Sequence, residues 1–107
     1  MSKSKGSYLI QMVAEVQFDF NNLPVELQKK WPQYQAILSL DPDDTLGFPS
    51  HGLIGKLRGC RALEIYDNQI AYRLVYRIYK KPSPKRVVIL SFAEHDDAYS
   101  YAQQRKS

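Results

Sequence analysis

One stretch limits the possible folds of this chain more than any other: residues 70–81, which read IAYRLVYRIYKK. Large apolar side chains stand at every second position, and two arginines stand between them. Because the side chains of a β-strand alternate between two faces, this spacing predicts a strand with one apolar and one cationic face. The apolar face carries Ile70, Tyr72, Leu74, Tyr76 and Ile78, and the other carries Ala71, Arg73, Val75, Arg77 and Tyr79.

Two further runs predict strands next to this one. CRALEIY, residues 60–66, places Leu63 and Ile65 on one face and Glu64 on the other. VVILSF, residues 87–92, is apolar on both faces, as expected for a central strand that is covered twice. DNQ and KKPSPKR separate the runs and predict turns. Together the three runs predict an antiparallel sheet built from hairpins.

The N-terminal half combines a predicted strand with helical spacing. Residues 8–20 are rich in β-formers, and both YLIQMV and EVQFDF fit strands there. Asn22 is a candidate helix N-cap, with Pro24 in the first turn. Pro32 lacks a backbone donor, so we expect two short helices or one bent helix. The apolar stripe of these helices comprises Leu23, Leu27, Trp31, Tyr34 and Ile37 or Leu38.

The remaining segments complete an α+β fold. Residues 1–7 are a polar, basic leader that we expect to be disordered, and residues 41–52 form a turn-rich loop. EHDDAYSYAQQRK predicts a short C-terminal helix. We therefore expect a single domain over residues 8–107. An N-terminal strand and a helical hairpin should pack on one face of a small twisted antiparallel β-sheet, with the short C-terminal helix beside them.

Composition restricts the environment of the protein. The single cysteine, Cys60, excludes an internal disulfide framework and fits a reducing compartment. No apolar run approaches the roughly 20 residues that a membrane span requires, and the apolar patch after the leader is too short for a signal peptide. His51 lies in the turn-rich loop without a second ligand at metal spacing. We expect a cytoplasmic protein without a membrane segment, metal or cofactor.

Positive charge is concentrated in the predicted sheet. Residues 52–92 hold nine lysines and arginines against two acids. This distribution is typical of a face that binds a polyanion, and a solvated basic surface is the alternative. The non-core face also carries Glu64, and His95 follows the last strand. Arginines neutralise phosphates, tyrosines stack on bases and a carboxylate–histidine pair moves protons, which suits a single-stranded nucleic acid.

Three marks in residues 53–105 resemble the RelE/ParE superfamily of bacterial toxins from toxin–antitoxin modules. They are KLRG before a strand, YRLVY in the next strand, and an apolar strand followed by H…AY..A..R. The N-terminal half agrees with this family in element order but has no recognisable motif. The resemblance implies a small antiparallel sheet with a helical hairpin and a C-terminal helix, and an antitoxin protein as the partner.

The resemblance leaves two activities open. RelE-like members cut mRNA in the decoding site of the ribosome, by attack of a ribose 2′-OH on the adjacent phosphate to give a 2′,3′-cyclic phosphate. ParE-like members inhibit DNA gyrase without nuclease chemistry, and a degenerate, non-toxic binding domain is a further alternative. The first activity implies a metal-independent endoribonuclease with mRNA and the ribosome as partners.

Resemblance to the nucleases also implies roles for individual residues. Arg73 matches the YRLVY arginine that contacts the scissile phosphate, and His95 matches the residue that acts on the leaving group. Tyr101 matches the stacking tyrosine, with Tyr99 as the competing choice. RelE has paired lysines where this chain has an acid and a tyrosine; the acid, Glu64, is a candidate base or a cross-strand partner of Arg73. The candidate RNA-binding residues are Lys56, Arg58, Arg61, Tyr66, Arg77, Lys80, Lys81 and Tyr99.

Overall fold

A computed structural model describes residues 8–45 and 47–106. The leader predicted at residues 1–7 lies outside these ranges. Within them the order of elements is β1 (Leu9–Met12), α1 (Val16–Asn21), α2 (Val25–Lys29), α3 (Trp31–Leu40), β2 (Ser50–Gly52), a 3₁₀ helix (Gly55–Leu57), β3 (Cys60–Asp67), β4 (Ile70–Tyr79), β5 (Arg86–Glu94) and α4 (His95–Arg105). None of the helices in the described ranges has both the length and the apolar character of a membrane span.

The strands form one mixed sheet in the order β1-β5-β4-β3-β2. The predicted β3–β4 and β4–β5 hairpins are present and antiparallel, and the α+β class is confirmed. β1 pairs in parallel with β5, with Ile10 beside Val87. At the β3–β4 turn, Asn68 and Gln69 have φ angles of +49° and +66°. Two left-handed residues are what a two-residue hairpin turn requires if its twist is to match that of the strands.

The strand predicted for EVQFDF is wrong, because these residues form most of α1. Val16, Asp19 and Leu23 are buried, whereas Phe18 is 61% exposed. Burial therefore follows the three-to-four spacing of a helix and not the alternation of a strand. The amide of Val16 bonds the carbonyl of Val13, which turns the chain directly after β1. In so short a run the apolar residues fit both periods, and the position of the core decides between them.

The break predicted near Pro32 is present, and the segment forms two helices, α2 and α3. A single residue, Lys30, lies between the two helices, and Pro32 falls in the first turn of α3, where its missing N–H has no helical acceptor. Asn22, the candidate N-cap, does not cap α2. It follows α1, where its backbone N–H bonds the carbonyl of Asp19, and Pro24 immediately precedes α2.

Helices cover both faces of the sheet, which corrects the expectation that they pack on one. α1, α2 and α3 cover the apolar face of β4, as predicted. α4 lies on the opposite face, where Ala98 and Ala102 enter a second core cluster. The other buried members of this cluster are Leu57, Cys60, Ala62, Val75 and Leu90. α4 therefore covers part of the sheet face that carries Arg73.

A buried ion pair takes the place of a strand along one edge of β5. β1 ends beside Ile89, so the β5 backbone beyond that point has no β1 residue to pair with. The Asp19 carboxylate accepts hydrogen bonds from Phe92 N–H at 3.0 Å and from the two terminal nitrogens of Arg105 at 2.7 and 3.0 Å. Arg105 Nη1 also donates to Leu90 O at 3.1 Å. The pair joins α1 and α4 through the sheet edge.

Tyr76 ties β4 to the loop after α3. Its hydroxyl donates to Pro42 O at 2.7 Å. Burial raises the pKa of Tyr76, while a hydrogen bond with the Arg61 side chain opposes the shift. A raised folded-state pKa means that this stabilisation is fully present below the unfolded-state value of about 10 and is lost as the pH rises through the folded-state pKa.

Tyr76→Phe is therefore expected to lower the free energy of unfolding by about 1–3 kcal/mol at neutral pH, because Pro42 O stays buried without its donor. The difference between wild type and variant should shrink as the pH rises above about 10, since the wild-type phenol then ionises more easily in the unfolded chain. Urea unfolding at a series of pH values measures this difference. A difference that stays constant into the alkaline range would contradict the role given to Tyr76.

Candidate active site

Four side chains, His51, Glu64, Tyr66 and Arg73, form a cluster on the cationic face that was predicted for the sheet, and we call it the Glu64 cluster. Glu64 Oε2 lies 3.0 Å from His51 Nδ1, and Glu64 Oε1 lies 4.0 Å from Arg73 Nη2. The guanidinium carbon of Arg73 lies 5.9 Å from the ring centroid of Tyr66. One carboxylate thus stands between an imidazole and a guanidinium.

The registers of β2, β3 and β4 build this cluster. Glu64 stands opposite Arg73 in the β3–β4 ladder, so the cross-strand pairing expected from the sequence is present. His51 stands opposite Ala62 in the β2–β3 ladder. Since Glu64 is two residues farther along β3, its side chain and that of His51 project from the same face as diagonal neighbours.

Sequence reasoning gave His51 no role, and the structure brings it into the cluster. β2 is three residues long, which is too short for an alternating pattern to be recognised. Pro49, which precedes β2, and Gly52, its last residue, are typical turn residues. A hydrogen bond from Glu64 N–H to Pro49 O at 2.8 Å fixes the segment against β3. No local pattern marks this pairing, because it forms between segments that are separate in sequence.

Arg73 is buried on the cationic face of the sheet, with 8% of the residue exposed. Nη1 donates to the carbonyl of Tyr72 at 3.0 Å, and Nε has no hydrogen-bond acceptor among the described residues. A buried guanidinium is costly unless an opposite charge pairs with it, and Glu64 supplies that charge. Arg73 therefore keeps at least one N–H donor, at Nε, that no acceptor among the described residues uses.

His95 begins α4 at another point of the same face. Its Nδ1 lies 2.8 Å from Asp96 Oδ1, and its ring meets the ring of Tyr99 edge-on, with centroids 4.8 Å apart. Glu94, Asp96 and Asp97 line a shallow cavity with His95. Three acidic residues therefore line the cavity beside this imidazole. The surroundings of the two histidines are electrostatically different.

A groove of about 440 Å³ has His51 on its lining. It runs between β2, the 3₁₀ helix and α4, with His51 on one wall and Tyr99 on the other. Tyr99 in turn contacts His95. Arg73 pairs with Ala93, two residues before His95. The structure thus brings Arg73, Glu64, His95 and Tyr99 to one face of the sheet.

Tyr101, the first choice for the stacking residue, lies outside this groove. It lines a separate groove of about 250 Å³ together with Phe18 and Leu23. Its ring centroid lies 4.7 Å from the guanidinium carbon of Arg105. Two residues along an α-helix turn the side-chain direction by about 200°, so Tyr99 and Tyr101 serve opposite sides of α4. Tyr99 is the tyrosine next to His95.

Some of the predicted RNA-binding cations point to the opposite side of the sheet. Arg61 Nη2 donates to Asp43 O at 3.3 Å and to Ser50 Oγ at 3.0 Å. The ammonium of Lys80 pairs with the carboxylate of Asp43 at 3.1 Å. These contacts hold the loop after α3 against the sheet, and they lie away from the groove.

Two other predicted cations, Lys56 and Arg58, flank Leu57, which lines the groove. Lys56 lies within the 3₁₀ helix and Arg58 directly after it, and both are exposed. The Lys106 ammonium bonds the carbonyl of Lys56, which adds a third cation at this end. Arg77 is half-buried on the face of Arg73, and Lys81 is exposed in the β4–β5 turn.

The site offers neither a metal centre nor a reactive thiol in the part of the chain that the structure describes. No group of three or more His, Cys, Asp or Glu side chains there is arranged to hold a metal ion. Cys60 is buried, and burial raises the pKa of its thiol against the opposing charges of Arg77 and Lys106. At neutral pH Cys60 is a packing residue.

No protein-family model matches this sequence, and no curated protein matches it. Solved structures do share its fold. A chain of the RelBE2 toxin–antitoxin complex from Mycobacterium tuberculosis has a TM-score of 0.65 and 23% identity, over 83% of this chain and 99% of that one. The E. coli toxin RelE, as a double mutant in the free state, has a TM-score of 0.66 and 17% identity, over 94% and 99%. The YoeB/ParE toxin from Agrobacterium tumefaciens has 0.66 and 18%, over 81% and 98%.

Proposed function

We propose that this chain, which has the fold of the RelE/ParE toxins, is the toxin of a toxin–antitoxin module and a metal-independent endoribonuclease that cuts mRNA on the ribosome. The Glu64 cluster carries this proposal, because it sets an imidazole, a carboxylate and a guanidinium side by side at a groove. Cleavage of RNA through its own 2′-OH needs a proton acceptor, a group that orients the acceptor, and a cation for the phosphate.

His51 is the general base in this proposal. A carboxylate only accepts hydrogen bonds, so the contact with Glu64 puts the imidazole proton on Nδ1 and leaves Nε2 to accept the proton of a ribose 2′-OH. The resulting oxygen attacks the adjacent phosphorus. Glu64 orients the ring and stabilises the imidazolium that forms, as the acid does in a Ser-His-Asp triad. Glu64, the candidate base from sequence, thereby becomes a positioning residue.

Arg73 and His95 act on the later part of the reaction. Arg73 neutralises the charge that develops on the non-bridging oxygens as the P–O5′ bond breaks. His95 delivers a proton from Nε2 to the leaving 5′-oxygen, while Asp96 holds its Nδ1. The products are a 2′,3′-cyclic phosphate and a 5′-hydroxyl, and no water is consumed. The ring of Tyr99 offers a stacking surface for a base.

The partners proposed are mRNA, the ribosome and an antitoxin. One chain of the RelBE2 toxin–antitoxin complex shares this fold, and an antitoxin that covers the groove would block the cleavage proposed here. Lys56 and Arg58 flank Leu57 of the groove lining, and together with Lys106 they suit an acidic segment of such a partner as well as RNA phosphates.

Purified protein added to a translating extract is expected to cut mRNA and to leave 2′,3′-cyclic phosphate ends. The double variant R73A/H95A should lower the cleavage rate at least about 100-fold, because it removes the phosphate cation and the proton donor together. Primer extension maps and quantifies the cuts. Arg86→Ala is the matched control, since Arg86 begins β5 and packs on Tyr79 at 4.7 Å. Absence of cleavage, or equal cleavage by the double variant, rejects the proposal.

A ParE-like inhibitor of DNA gyrase is the second candidate. The burial of Arg73, 8% exposed, favours it, because a guanidinium held in a structural ion pair needs no substrate. Inhibition of supercoiling by pure protein without ribosomes would establish this candidate in place of the first. Normal growth of cells that express the protein alone would instead indicate a non-toxic binding domain.

A further inference from the structure

The groove beside the Glu64 cluster has a lining that the proposed cleavage steps leave unused. Leu53, Ile54 and Leu57 form an apolar wall, and Tyr99 and Gln103 face it from α4. Ile54 is 89% exposed, so the edge of the groove presents a large apolar side chain to solvent. An apolar wall opposite an aromatic ring suits a flat, uncharged group.

A nucleobase is the occupant that best fits the surroundings of this groove. His51 lies on its lining, so the groove is continuous with the site proposed for the scissile phosphate. Lys56, Arg58 and Lys106 stand at the border with the 3₁₀ helix, where they suit the phosphates on either side of a bound nucleotide. Stacking on Tyr99 holds any base, because every base has a π-face.

Gln103 is the group in the groove that distinguishes one base from another. Among the described residues it has no hydrogen-bond or ring partner, whereas its neighbour Gln104 donates to Ser100 Oγ at 3.5 Å. A glutamine amide presents one donor and one acceptor side by side, which match N7 and the 6-amino group of adenine. Guanine presents two acceptors on the same edge, so the amide satisfies only one of them.

We propose that this groove binds a single RNA base next to the cleaved phosphate, and that Gln103 makes adenine the preferred base there. The proposal rests on the ribonuclease function given above. It adds a specificity-determining residue that takes no part in the proton transfers.

The test compares cleavage of mRNAs that carry each of the four bases on either side of a mapped cut. Wild type should cut the adenine-flanked site about tenfold faster than the others, which one bidentate amide contact is sufficient to supply. Gln103→Ala should reduce this preference to within about twofold and leave cleavage next to the other bases within about threefold of wild type. Gln104→Ala, one residue along the same helix, should change neither quantity.

Two results would overturn the inference while the ribonuclease function stands: cleavage without preference for adenine in wild type, or the same preference in Gln103→Ala. If wild type does not cut mRNA at all, the ribonuclease proposal fails, and nucleotide binding then tests the base site by itself. Titration of isotope-labelled protein with the four nucleoside 5′-monophosphates should shift the amides of Leu53, Tyr99 and Gln103 most strongly with AMP. Equal shifts with all four, or shifts elsewhere, reject the base site.

Discussion

Replacing His51 by alanine is expected to lower the rate of mRNA cleavage by about 100-fold or more, which is the contribution that a positioned general base makes. The reason is the contact with Glu64 at 3.0 Å, which fixes the ring and the position of its proton. Glu64→Gln should cost less, about tenfold, because the base remains while its orienting charge is lost. Single-turnover cleavage in a translating extract measures both rates.

A modified substrate distinguishes the roles of the two histidines. If sulfur replaces the leaving 5′-oxygen of the scissile bond, the leaving group departs as a thiolate and needs no proton. His95→Ala should then regain most of the wild-type rate, and His51→Ala should not, since its step precedes departure. Rescue of both variants or of neither would contradict the assignment. The His51 side chain is 44% exposed, so its removal should alter stability by no more than about 0.5 kcal/mol.

Replacing Asp19 by asparagine is expected to destabilise the fold by about 3–5 kcal/mol, because it leaves the Arg105 guanidinium buried without its counter-charge. The Asp19 side chain is fully buried and that of Arg105 is 10% exposed. For a domain of this size, a loss of 1 kcal/mol lowers Tm by about 4–8 °C. Thermal and urea unfolding should therefore show a larger loss of stability for Asp19→Asn than for Tyr76→Phe.

Asp97→Asn is the matched control for Asp19→Asn. Asp97 is an exposed acid of α4 on the groove that Asp19 also lines, and its replacement should stay within about 0.5 kcal/mol. In a double-mutant cycle with Arg105→Gln, the second substitution should cost far less once Asp19 has been changed. Additive losses, or a loss below about 1 kcal/mol for Asp19→Asn, would show that Asp19 and Arg105 do not stabilise the fold through their interaction with each other.

The central hairpins were predictable because their registers are set locally. Alternation over the ten residues of β4 leaves one choice for the fully apolar face, since a slip by one residue would turn Arg73 and Arg77 into the core that α1, α2 and α3 cover. The short turn between Asp67 and Ile70 then fixes which residues pair. The Glu64–Arg73 contact follows from these two facts, and for that reason sequence reasoning reached it.

The elements that were missed are short and depend on distant segments. α1 has six residues and β2 has three, so neither is long enough to show its own period. His51 meets Glu64 across 13 residues, and Asp19 meets Arg105 across 86. Nothing local in the chain encodes such pairs. The position of α4 was missed for a related reason, since its contact face consists of alanines, which periodicity in hydrophobicity hardly registers.

The wall of the groove that α4 provides has a consequence for folding. α4 follows all five strands in chain order, so this wall is supplied by the last element of the described chain. Until α4 packs on the sheet, Tyr99 and Gln103 do not lie opposite the apolar wall of the groove, and the Asp19 carboxylate lacks the Arg105 counter-charge. The groove wall and the buried ion pair therefore both depend on the same helix.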